Sequence, residues 1–186
     1  MFSANLPTRH YHVELLTEHY LLTGELEPFG PMMTYLNDAG RVALRLKNME
    51  AKSLDASLAL DMFRAEEMMV RKDEIDLIRP LDMVSQNTVP LMARREILRV
   101  FIGRFVVQAS FPCGADTPIS DIFDTSPAHW VPCLDAQAHI VQRSKQPVFS
   151  TAKLVLVNKA HIRFYQGVPA PAEVAPPPSS VAPENK

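Results

Sequence analysis

Met68–Ile78 reads MMVRKDEIDLI and Val155–Tyr165 reads VLVNKAHIRFY; laid over each other at an offset of 87 residues, their apolar positions coincide. A second match lies upstream, where YLLTGEL (Tyr20–Leu26) falls on FVVQASF (Phe105–Phe111) at an offset of 85, so two extra residues in the intervening loop account for the difference. The chain therefore says much the same thing twice, over residues 8–80 and again over 93–166. Self-similarity of this kind is the mark of tandem structural units.

Each unit has about 70 residues, too few to bury much surface alone, so the two are expected to pack on each other or on another chain. The composition of the 186 residues, 47% hydrophobic and 22% charged, is that of a globular protein. The net charge of -2 gives no general attraction for nucleic acid or an acidic membrane. Its distribution is uneven. Residues 8–80 hold 9 Lys+Arg against 13 Asp+Glu, whereas residues 93–166 hold 9 against 5. Opposite potentials on two similar units favour packing within the chain or head-to-tail contact between chains; drift of solvated faces is the plainer alternative.

Local patterns indicate strands. HVELLT (12–17) and HYLLTGELE (19–27) form an expected hairpin, with Gly24 at a bulge or bend. FGPMMTYLNDAG (29–40) reads as a loop with a helical turn at Met32–Leu36. Val42, Leu44 and Leu46 alternate with polar residues, the signature of a half-buried strand. Leu54, Leu58 and Met62 fall at helical spacing, so a short helix over Ser53–Phe63 competes with a strand connection. Lys72-Asp73 or Asp73-Glu74 is expected to form a tight turn between two short strands, and Pro80 ends the second of them. Residues 81–92 form a linker, and residues 93–166 repeat the pattern. From Gly167 to Lys186 the composition is Pro, Ala, Val, Ser and Glu, which predicts a disordered tail; its densest part, Ala175–Ser180, is either a polyproline ligand or inert.

Five short strands per unit, a bent second strand and a tight turn before the last describe an all-β chain of two tandem small SH3-like or Sm-like barrels with minor helical turns. A continuous two-unit sandwich has the same one-dimensional pattern. The residues Ser120, Asp121, Trp130, Pro132, Asp135, Ala136, Asn158, His161 and Ile162 resemble an uncharacterised bacterial family of small β-rich repeats. The first unit departs from it, with Arg71 in place of Asn158 and Glu74 in place of His161. The resemblance implies no activity. A looser likeness to Sm-like RNA-binding barrels rests on Val70-Arg71-Lys72 and Val157-Asn158-Lys159; the family's glycine there and its Asp-x-x-x-Asn loop are missing, which leaves the fold analogy stronger than the RNA pocket.

Candidate chemistry is sparse. The histidines and the two cysteines, Cys113 and Cys133, show no zinc-ligand spacing and no Gly-rich phosphate loop is present, so neither a metal nor another cofactor is expected. His10-Tyr11-His12 puts two imidazoles on one strand face, read as an exposed edge; Cys113 with His129 or His139 lacks an orienting third group. Asp121 is expected in the capping of a helical turn by Thr117 or Ser120. Trp130, the single tryptophan, packs in the core, anchors the contact between units, or binds a partner. Arg94, Arg95, Arg99, Arg104 and Arg143 offer a basic stripe, directed either at phosphates or at the acidic first unit through Glu14, Glu18, Glu25 and Glu27. Few cysteines, no basic-then-apolar N-terminal segment and no long apolar run make a cytoplasmic, non-enzymatic binding or assembly module the expectation. Its partner is a protein or another copy of the chain, with Sm-like nucleic-acid binding as the alternative and no membrane association.

Overall fold

The computed structural model describes residues 9–28, 30–55, 57–82, 92, 94–125, 127–141 and 147–168. The first half runs β1 (Tyr11–Thr17), β2 (Tyr20–Leu26), α1 (Met32–Asn37), β3 (Ala43–Ser53), β4 (Met62–Arg71), a 3-10 turn (Lys72–Glu74) and β5 (Ile75–Pro80). The second runs β6 (Arg94–Ile102), β7 (Phe105–Cys113), α2 (Ile119–Asp124), β8 (Trp130–Ile140), β9 (Phe149–Asn158), a 3-10 turn (Lys159–His161) and β10 (Ile162–Gly167). All ten strands join one antiparallel sheet in the order β10-β6-β7-β8-β9-β5-β1-β2-β3-β4, which remains open. Within each half the order is fifth, first, second, third, fourth strand. The halves meet where β5 pairs with β9, Leu77 opposite Val157 and Ile78 opposite Leu156.

Three hydrogen bonds recur between the halves at the sequence offsets. Leu54 N–H donates to the His19 carbonyl as Val141 N–H does to Arg104; Lys72 N–H to Val42 as Lys159 N–H to His129; Leu81 N–H to His12 as Val168 N–H to Ile97. The last pair carries the second half through Gly167 and Val168, two residues past the expected boundary at 166.

The bulges explain where simple alternation fails. Between β2 and β3, Asn48 and Met49 stand opposite Gly24; between β7 and β8, Asp135 and Ala136 stand opposite Ala109. Asn48 (φ 48°) and Asp135 (φ 51°) are left-handed, a region that Asn and Asp enter more readily than other non-glycine residues. The extra residue switches the buried side of β3 from Leu44 and Leu46 to Met49 and Ala51. A Cβ on Gly24 would lie 2.7 Å from Leu46 Cγ and 2.8 Å from the Lys47 carbonyl, so glycine lets β2 approach the bulge. Val42, expected inward, precedes the strand and is exposed.

Two cores flank the junction on opposite faces of the sheet. Adjacent residues divide between them: Leu15, Ile78, Trp130 and Leu156 enter the first core, while Leu16, Leu77, Val131 and Val157 enter the second. Neighbours on a strand point to opposite faces, so the junction strands are buried on both sides. That is why Ile75–Ile78 and Leu154–Asn158 are buried almost without interruption. Each core also takes side chains from the other half.

Both helices follow a proline at the N-cap, Pro31 and Pro118, whose missing N–H removes no helical bond at that position. α1 buries Met32, Tyr35 and Leu36 on one stripe. Asp121 lies in the first turn of α2, yet no side chain caps that helix, which corrects the expected role of Thr117 or Ser120. Ser53–Phe63 is not helical where described: β3 ends at Ser53, turns cover 57–59 and β4 starts at Met62. Most of the expected linker (83–91) and the tail from 169 lie outside the described residues. No described helix is long and apolar enough to cross a membrane.

Candidate functional site

A cluster of ionisable groups lies at the junction of the halves. Asp76 interrupts the apolar run of β5 and is only 5% exposed. Its Oδ1 lies 2.8 Å from Nδ1 of His161, in the turn before β10. Burial is the chief influence on Asp76 and raises its pKa; the His161 hydrogen bond opposes this in part. Gly103, in the β6–β7 turn, closes the other side. It has φ 52°, and a Cβ there would fall 2.4 Å from Asp76 Oδ2. The main chain can come this close to the carboxylate only at a residue without a side chain.

These groups line a cleft of about 600 Å³ with Glu18, His19, Asp73 and Arg104. Arg104 Nη1 crosses the junction to donate to the Glu18 carbonyl at 2.6 Å. Asn158, buried at the end of β9, donates from Nδ2 to the carbonyls of Ile75 (2.9 Å) and Lys72 (3.2 Å), while its Oδ1 accepts from Ala160 N–H. On the other side Asn37, at the end of α1, accepts at Oδ1 from the N–H groups of His129 (2.8 Å) and Trp130 (3.0 Å). The junction is thus a polar clamp around two apolar cores, with donors and acceptors drawn from both halves.

The predicted arginine stripe divides between faces. Arg95 and Arg99 share the outer face of β6 with Ile97 and Phe101, and Arg99 donates to Gln108 Oε1 at 3.1 Å. Arg94 has the opposite strand parity and binds the carbonyls of Ala115 and Thr117, the Glu96 carboxylate and Cys113 Sγ. Arg143 lies outside the described residues. Among the described residues the expected meeting with the acidic first unit reduces to Arg104 on the Glu18 backbone carbonyl, while three of the four glutamates pair in their own half: Glu14 with Arg79, Glu25 with His12, Glu27 with Lys47 and His10. Trp130 is buried in the first core, contacts residues of both halves there and is no surface anchor. Beside Phe101, the exposed Phe164 of β10 stacks at 4.2 Å.

His10 and His12 do share a face, but β1 lies between β5 and β2 and is not an edge. His10, Glu25 and Glu27 each bring a ligand atom within 4.8 Å of the others, while Lys47 Nζ already sits 2.6 Å from Glu27. That neutralises one carboxylate and weighs against a cation there. Cys113 and Cys133 are buried free thiols, and burial pushes the Cys133 thiol up, away from the reactive thiolate.

Reading residues by type missed Asp76 and Asn37. A lone acid inside Ile75–Ile78 was the available signal for the first; nothing local distinguished Asn37. Comparison with protein-family models, with curated proteins and with solved structures finds no match.

Proposed function

We propose that the protein is a non-enzymatic assembly module acting through protein–protein contacts, built from two tandem small barrel-like units of SH3-like or Sm-like type. The observation that carries this reading is the open sheet. Its terminal strands β4 and β10 have one unpaired side each among the described residues, and they present Met62, Met69 and Phe164 to solvent. An unpaired edge with exposed apolar side chains is a template for another polypeptide. The shared strand order and the recurrent hydrogen bonds support the tandem-unit part.

A second reading is supported by the outer face of β6 and β10. Arg99 and, beyond Ile97, Arg95 continue along the face that carries the Phe101–Phe164 stack, a combination suited to phosphates and unstacked bases. One experiment separates the two: affinity capture from native lysate with the full chain and with a Met69→Lys, Phe164→Lys variant, with and without nuclease, at two salt concentrations. A defined protein that survives nuclease and high salt, and is lost with the variant, is the expected result. RNA or DNA released at high salt would favour the second reading.

A further inference from the structure

The β5–β9 junction inside the chain has two unused counterparts at the ends of the sheet. At the same offsets, β10 occupies the position of β5 and β4 the position of β9. The geometry points to a head-to-tail contact between copies, in which β10 of one copy pairs antiparallel with β4 of the next as β5 pairs with β9. This deepens the assembly reading by naming the partner as a second copy of the chain, and it rests on that reading.

The argument is positional. Inside the chain Leu77 faces Val157 and Ile78 faces Leu156, all four fully buried. Transferred to the edges, Phe164 faces Val70 and Tyr165 faces Met69. Phe164 is 58% exposed and Met69 59%, although their counterparts Leu77 and Leu156 are inaccessible. The surrounding surface repeats the pattern. Leu16, Leu21 and Leu54 lean from the first half onto the second core, and their counterparts are Phe101, Val106 and Val141, the last of them 58% exposed. The second half therefore carries counterparts of the apolar side chains with which the first half docks; Phe101 meets Phe164 of its own half, Val106 is half-buried and Val141 is exposed.

The polar clamp transfers as a pattern of donors and acceptors, with charged groups in place of the two asparagines. Asp76 and His161 become Arg163 of one copy and Glu74 of the next, an acid–base pair with the signs exchanged. Asn37, an acceptor for the main chain at the start of β8, becomes Asp124, placed to accept from the N–H groups of Val42 and Ala43. Asn158, a donor to two carbonyls, becomes Arg71, a donor that within its own copy holds the Asp73 carboxylate. The opposite net charges of the two halves act in the same direction, since the acidic half of one copy meets the basic half of the next.

The contact between copies is weaker than the one within the chain. Ala43 and Glu67 stand where Trp130 and Leu154 fill the first core, so less apolar area is removed from water. Association is accordingly concentration-dependent. It is also heterologous, because β10 meets β4 and not another β10, and so builds rings or open chains of copies.

The test is sedimentation velocity on the full chain from about 1 μM to about 1 mM, the range of a modest interface. Wild type is expected to self-associate. Met69→Lys disables only the β4 end and Phe164→Lys only the β10 end, so each variant alone should associate about tenfold more weakly or worse. Mixed, they should form a dimer that grows no further, because one live β10 meets one live β4. Glu74→Arg and Arg163→Glu should each weaken association about fivefold and restore it in combination. Thermal melts check that each variant is folded; all the substituted residues but Glu74 and Met69 lie on β10, and every one is on the surface. A wild-type monomer throughout, a single-edge variant that associates like wild type, or a mixture that yields no dimer would each overturn the inference. A monomer that still captures a protein partner from lysate would overturn self-pairing alone and leave the assembly reading standing.

Discussion

Gly103 and Asp76 show how closely the two halves constrain each other at the scale of single residues. Gly103 is left-handed and its Cα lies against a buried carboxylate that also meets His161. Gly103→Ala adds a methyl group where Asp76 sits and forces alanine into a left-handed conformation, so it should destabilise the protein by about 2 kcal/mol or more. A urea denaturation midpoint unchanged from wild type would contradict this. Asp76 has a folded-state pKa above its ordinary 3.8, so between 3.8 and the raised value the folded chain binds more protons than the unfolded one. Its contribution to stability is then fully present at low pH and is lost as pH rises through the folded value. Asp76→Asn removes the ionisation and keeps an acceptor for His161. The variant should gain stability relative to wild type as pH is raised from 3.8; denaturation curves at several pH values that show the opposite slope would exclude it.

At the scale of elements, the bulges in β3 and β8 decide which side of each strand is buried. Each places a short polar residue in left-handed backbone opposite Gly24 or Ala109, and each moves the apolar side of its strand by one residue. Asn48→Val puts a β-branched side chain at φ 48° and should cost about 1–2 kcal/mol, whereas Asn48→Gly should be tolerated. Thermal melting of both variants checks the order; equal losses would show that the Asn48 side chain, and not its backbone, is what matters. The strands were legible from alternation and the hairpins from turn residues. The bulges were legible only in part, through Gly24, because Asn48 and Asp135 look like ordinary polar positions until the partner strand is known.

The halves are mutually dependent at the scale of the whole molecule. Trp130, Leu154 and Leu156 complete the core of the first half, while Leu16 and Leu77 contribute to the core of the second. Removing residues 83–186 would strip three large side chains from the first core and expose the β5 edge. Each buried leucine is worth about 1.5–3 kcal/mol and truncation of a buried tryptophan about 3–5 kcal/mol, losses comparable to the whole stability of a small domain. A fragment of residues 1–82 should therefore lack a cooperative thermal transition; a sharp melt from it would show that the first half folds alone.

What the sequence determined by itself was periodic and local: the all-β class, the internal echo, the two helical turns beside proline and the tight turns before β5 and β10. These follow from side-chain alternation and backbone preferences, which act over a few residues. Only the tertiary structure decided that the strands form one open sheet, that its two cores lie on opposite faces, and that Asp76 meets His161 while Trp130 is buried. Those contacts join residues 83 to 93 positions apart, or whole faces of a sheet, and are selected by which apolar surfaces can be covered together. No pattern along the chain records that selection, because burial depends on the neighbour across the sheet.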